Sequence, residues 1–139
     1  HMLRIYGDII VLVRDLAGDI ERIERRDADL ARQLRRAASS IALNTMEGCG
    51  LRGGNRRLRY ESALGSLREV TAVLDVAEAL RMIVRREEVR ERMDKVGATL
   101  FRLTRRLDVA EALRMVVRRE EVRERLDKVG ATLFRLTRR

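Results

Sequence analysis

Residues 74–106 read LDVAEALRMIVRREEVRERMDKVGATLFRLTRR, and residues 107–139 repeat them at 31 of 33 positions. The two changes are Ile83 to Val116 and Met93 to Leu126. Both copies present the same apolar face, so both compete for one place in the fold. A period of 33 could belong to a helical solenoid, but two copies are too few and the usual repeat signatures are missing. Near-identity, with a His1-Met2 start that reads as a cloning remnant, points to a recent and deliberate duplication.

The periodicity is helical throughout. Ile5, Ile9, Leu12, Leu16, Ile20 and Ile23 recur at steps of three and four, one stripe of an amphipathic helix. Asp27 or Asp29 suits the cap of a second helix, whose stripe runs through Leu30, Leu34, Ala37, Ile41 and Leu43 or Asn44. Gly48, Gly50, Gly53 and Gly54 break the chain, and Asn55 suits the cap of a third helix. That helix buries Tyr60, Leu64 or Ala63, Leu67, Val70, Leu74 and Ala77. Val89, Met93, Val96, Leu100 and Leu103 form a heptad-like seam, repeated as Val122, Leu126, Val129, Leu133 and Leu136. With no proline, 3% aromatics and 38% charged residues, the composition is that of packed helices.

These patterns predict an all-α fold: an antiparallel up-down four-helix bundle over residues 1–106, extended to about five helices by its tandem copy, 107–139, in the same domain. The seam lapses at residues 82–86, which suits a turn. Every residue there also tolerates helix, so one unbroken helix is the alternative, and residues 115–119 repeat the choice. The junction keeps helical spacing through Leu100, Leu103, Leu107 and Ala110. Helix four is therefore expected over about 87–115 and a fifth, folded back, over about 119–138. The stripe left without a groove needs a five-helix subunit or a neighbouring chain, which predicts a homo-oligomer altered by the duplication.

The net charge of +9 is unevenly spread. Residues 1–34 carry −1, residues 35–73 carry +4, and each copy carries +3, with 29 arginines against two lysines. Guanidinium binds phosphate bidentately, so an arginine surface suits RNA or DNA, although a solvated helical face accounts for the same charge. Arg52, Arg56, Arg57 and Arg59 lie within eight residues with no acid among them. With Arg35 and Arg36 of the preceding helix they make a candidate phosphate-binding patch, salt-dependent and indifferent to base sequence. Tyr60 is the one aromatic nearby, which argues against single-strand readout by stacking.

Catalytic chemistry has little to stand on. Cys49 is the single cysteine, in keeping with a reducing, cytoplasmic setting, and no native histidine could activate it. One thiol cannot build a zinc site, the glycines of CGLRGGN lack a phosphate-loop Lys-Ser/Thr, and no cofactor is implied. Ser40, Asn44 and Glu47 share a helix face but read better as a polar network than as a ligand site. Gly65 and Ser66 read as close helix packing. No apolar run approaches the roughly 18 residues of a membrane span; residues 9–13 are far too short.

Residues 32–70, RQLRRAASSIALNTMEGCGLRGGNRRLRYESALGSLREV, resemble the signature of the small bacterial four-helix-bundle proteins encoded in intervening sequences of 23S ribosomal RNA genes. That family includes the accessory protein of diversity-generating retroelements. Gln33, Arg35, Arg36, Ala37, Ser40, Ile41, Asn44, Glu47, Gly48, Tyr60, Ala63, Gly65, Ser66 and Glu69 carry the resemblance, which covers about residues 3–106. Thr45-Met46 departs from the family's usual Ile-Ala, and Arg81 stands where a glycine should end helix three. The resemblance implies a non-enzymatic protein that assembles as a homopentamer. By analogy with the retroelement member it implies nucleic acid, and a reverse transcriptase, as partners. The reading it supports is an accessory protein that binds nucleic acid non-specifically. The alternative is a purely structural, self-assembling module whose arginines keep it soluble.

Overall fold

The computed structural model describes residues 2–137; His1 and the end of the expected fifth helix lie outside them. Four helices follow one another: α1 (Met2–Glu24), α2 (Ala28–Gly50), α3 (Gly53–Ala79) and α4 (Glu87–Thr137). No strand occurs among the described residues. Successive helices run in opposite directions, as their ties show. Ser40 meets Ser66 and Asn44 meets Arg59 across α2 and α3, while Lys95 meets Asp8 and Arg92 meets Asp15 across α4 and α1. Each helix packs on two neighbours, with α4 returning to α1 around one core.

The expected stripes form that core. All six positions of the α1 stripe are buried, as are Leu34, Ala37 and Ile41 of α2. The face of α3 is Tyr60, Ala63, Leu67, Val70, Val73, Leu74 and Ala77. Val89, Met93, Val96 and Leu100 close the core from α4, followed by Thr104 in place of the expected Leu103. Thr104 resolves its burial by donating to the Leu100 carbonyl at 2.9 Å, whereas the buried Thr45 hydroxyl finds no partner.

The connections depart from expectation in detail. Asp27 caps α2 by accepting from the Leu30 amide at 2.8 Å. Asn55 does not cap α3; it lies inside the helix, whose cap position is Arg52. Gly48 and Gly50 do not break the chain either, because α2 runs through both. Gly48 is needed for closeness: a Cβ there would sit 2.6 Å from the Tyr60 ring. Gly65 borders open space, so its expected packing role is corrected. A second tight glycine is Gly97, whose Cβ position is 3.2 Å from Leu67.

Residues 80–86 are a turn, and here the missing glycine matters. Arg81 takes φ of +57°. The Met82 amide donates to the Ala77 carbonyl and the Arg81 amide to that of Glu78, the paired bonds of a Schellman cap. A side chain in this left-handed conformation costs about 1–2 kcal/mol. The contacts that offset it are tertiary. Ile83 is buried, Arg26 donates to the Arg81 carbonyl, and Arg85 bonds the Thr71 carbonyl and Asp75. Arg86 reaches the Asp15 carbonyl and the buried Asp19.

No second turn follows. α4 continues unbroken for 51 residues, so the described residues form four helices rather than about five. At 1.5 Å per residue the helix is about 76 Å long. Beyond Ala110 every described residue is exposed. The five-helix subunit is not formed because residues 113–119 have no neighbour to offset a left-handed residue, and without one their side chains simply prolong the helix.

Candidate nucleic-acid interface

Arg52, Arg56, Arg57 and Arg59 occupy the start of α3, across a two-residue link from the end of α2. The cluster is free of acids along the chain but not in space. Arg59 Nε meets Glu47 at 2.9 Å and donates to the Asn44 side-chain oxygen at 3.3 Å. Arg57 reaches Asp108 at 2.9 Å, Glu111 at 3.5 Å and Glu61 at 3.6 Å. The hydrogen bond to Asp108, with the charges of Glu61 and Glu111, raises the Arg57 guanidinium above its ordinary value, so it stays a cation across the working pH range. Arg56 donates to the Gly48 carbonyl at 3.1 Å and to that of Cys49 at 3.3 Å. It thereby serves the C-terminus of α2, where the helix dipole favours a cation.

Arg35 and Arg36 stand elsewhere. From Arg36 to the end of α2 is 14 residues, or about 21 Å along the helix, so the six arginines form two groups. Arg35 pairs with Glu24 at 3.2 Å. Arg36 is exposed and makes no side-chain hydrogen bond or ion pair among the described residues, and the same holds for Arg52.

One cleft gathers part of the first group. Arg52, Gly53, Gly54 and Arg56 form one wall, and Leu107, Ala110, Glu111 and Arg114 of α4 the other, around about 320 Å³. Arg114 was not among the expected site residues. Residues 107, 110, 111 and 114 fall on one face of α4, the face turned to the start of α3. A second arginine group lies at the opposite end, where Arg22, Arg81 and Arg86 line a shallow hollow beside Glu78, Met82 and Ile83. Sequence spacing hides that group, since its members come from α1, the turn and the entry to α4.

The polar residues of α2 are occupied by structural bonds. The Ser40 and Ser66 hydroxyls lie 2.8 Å apart, and the Asn44 amide donates to the Ser40 hydroxyl and carbonyl, both at 3.0 Å. Glu47 is taken by Arg59. The Tyr60 hydroxyl approaches the Cys49 sulfur at 3.9 Å. Burial, then the Cys49 thiol, pushes the Tyr60 phenol up to about 12, so the phenol acts as a packed neutral group near neutral pH. No group of three metal-ligating side chains occurs among the described residues, and no helix is long and apolar enough to cross a membrane.

A family profile described as 23S rRNA-intervening sequence protein matches residues 3–102, which ends just before the second copy begins. Neither the curated proteins nor the solved structures yield a significant match.

Proposed function

We propose, from the premise that the chain belongs to the 23S rRNA-intervening sequence protein family, that it is a non-enzymatic accessory protein that holds nucleic acid by its phosphates. In this reading residues 1–106 are an up-down four-helix bundle, the unit by which the chain associates with further copies of itself. The carrying observation is the cleft between the start of α3 and α4. It brings Arg52, Arg56 and Arg114 together against a single acid, Glu111, which is itself engaged by Arg57. Guanidinium groups facing one hollow suit phosphate oxygens and carry no base-edge information. Exposed Arg36 adds a contact on the same chain, and copies of the chain would multiply both.

Fluorescence anisotropy with a labelled RNA or DNA duplex tests this. Binding in the micromolar range is expected at low salt, weakening on the order of 10–100-fold between 50 and 200 mM salt if about three phosphates are engaged. The triple variant R36A/R52A/R114A is expected to lose most of the affinity and of the salt slope while keeping its helicity. Absence of binding at low salt by the unaltered protein would overturn the reading.

A purely structural module is the second reading. It is favoured by the occupations of Arg35, Arg56, Arg57 and Arg59, each of which has an intramolecular partner that accounts for it.

A further inference from the structure

We infer that the distal part of α4, residues 119–137, is a self-association surface that pairs antiparallel with the same segment of a second copy of this chain. The inference does not rest on nucleic-acid binding.

It starts from two identical keys and one lock. Val89, Met93, Val96 and Leu100 are 1, 6, 1 and 0% exposed in the groove of their own bundle. Their counterparts Val122, Leu126, Val129 and Leu133 are 51, 66, 55 and 57% exposed. The groove is already filled by the first copy, which is tied there by Lys95 to Asp8 at 3.0 Å and Arg92 to Asp15 at 2.8 Å. Inserting the tail into another chain's groove would evict an equal stripe, so any number of chains exchanging helices leaves one stripe per chain in water. Stripe on stripe is the arrangement that covers the surplus.

The tail is suited to it. Val122, Leu126, Val129, Leu133 and Leu136 recur at steps of four and three, the seam of a two-helix coil. Antiparallel pairing stacks Val122 on the partner's Leu133 and Leu126 on the partner's Val129, a small side chain against a large one in each layer. It sets Arg123 beside the partner's Gly130 and Arg125 beside the partner's Thr132, with no like charges opposed between residues 119 and 137. Parallel pairing in register would set Arg118 against the partner's Arg123 twice over and Arg119 against its own twin, which selects the antiparallel form. Leu136 falls opposite the partner's Arg119 in this register, so four residues per chain stack; they expose roughly 400 Å², and their pairing buries about 800 Å², just under the size of a durable interface. The association is therefore concentration-dependent.

Sedimentation of the full chain against its variant L126E/L133E tests the pairing. The tail contributes nothing to the core, so thermal unfolding of the bundle is expected to be unchanged. The unaltered protein is expected to sediment, at tens of micromolar, with twice the subunit number of the variant. Equal masses at all concentrations would overturn the inference. Crosslinking tests the geometry in a C49S background. V122C/L133C is expected to give interchain disulfides on mild oxidation, since 11 residues of helix span about 16 Å and cannot bridge within one chain. If L67C/G130C crosslinks between chains instead, the tail has taken the place of Gly97 against Leu67 in a partner's groove, and stripe-on-stripe pairing is wrong.

Discussion

Residues 80–86 and 113–119 have one sequence, Ile83 to Val116 apart, and two conformations. The first is a turn with a left-handed arginine; the second is the middle of a 51-residue helix. Local preference cannot separate them, so the difference lies in what surrounds each. The first has the α3 backbone, Asp75 and Asp19 within reach of its arginines and a core to take Ile83. The second has solvent. The helix is thus the default of this sequence, and the turn is imposed by the helices packed around it.

Matched substitutions in the two copies exploit that contrast. The largest gap is expected between Leu100→Ala and Leu133→Ala. Leu100 is fully buried, and its truncation is expected to cost about 2–5 kcal/mol in a urea titration. Leu133→Ala, measured at dilute protein, is expected to stay within about 0.5 kcal/mol of zero. Comparable losses would mean that the tail is packed in solution and would break the contrast.

Arg86 and Arg119 come next. Arg86 shares the buried Asp19 carboxylate with Arg22, so Arg86→Ala leaves that charge half-compensated and is expected to cost on the order of 1–3 kcal/mol. Arg119→Ala removes a solvated side chain and is expected to leave the unfolding midpoint unmoved.

Opposite signs are expected at Arg81 and Arg114. Arg81→Gly relieves the left-handed residue and should stabilise the fold by about 1 kcal/mol. Arg114→Gly should weaken the exposed helix by a similar amount, read as lost ellipticity. Should both substitutions destabilise, the left-handed turn would be wrong.

The smallest gap lies at the glycines. Gly130→Ala meets open space and should raise tail helicity by about 0.5–1 kcal/mol. Gly97→Ala presses on Leu67, and its propensity gain is expected to be cancelled, leaving the midpoint within about 0.5 kcal/mol of its original value.

Most of the fold was legible because burial on a helix leaves a period. The stripes of α1, α3 and the first part of α4 are the ones the structure buries, and the Asp27 cap declared itself by type and place. What stayed hidden depends on neighbours rather than on period. A fifth helix follows from the sequence only if the second copy repeats the first copy's turn, yet that turn needs partners the copy does not have. Gly65 and Gly97 look alike in sequence, and only the position of Leu67 tells them apart. The arginine cluster was legible as a cluster but not as a charge. Glu47, Asp108 and Glu111 approach it from other helices, while Arg114 joins its cleft from α4, far along the chain.

The central claim is that one sequence turns where helices pack around it and runs straight where none do, and a distance measures this directly. Spin labels on R105C and R135C in a C49S background, diluted into unlabelled chain, report the span of the second copy by pulsed electron resonance. Thirty residues of unbroken helix predict a single distance near 45 Å. A dominant distance below about 25 Å would mean that the second copy folds back as the first does, and would contradict the account.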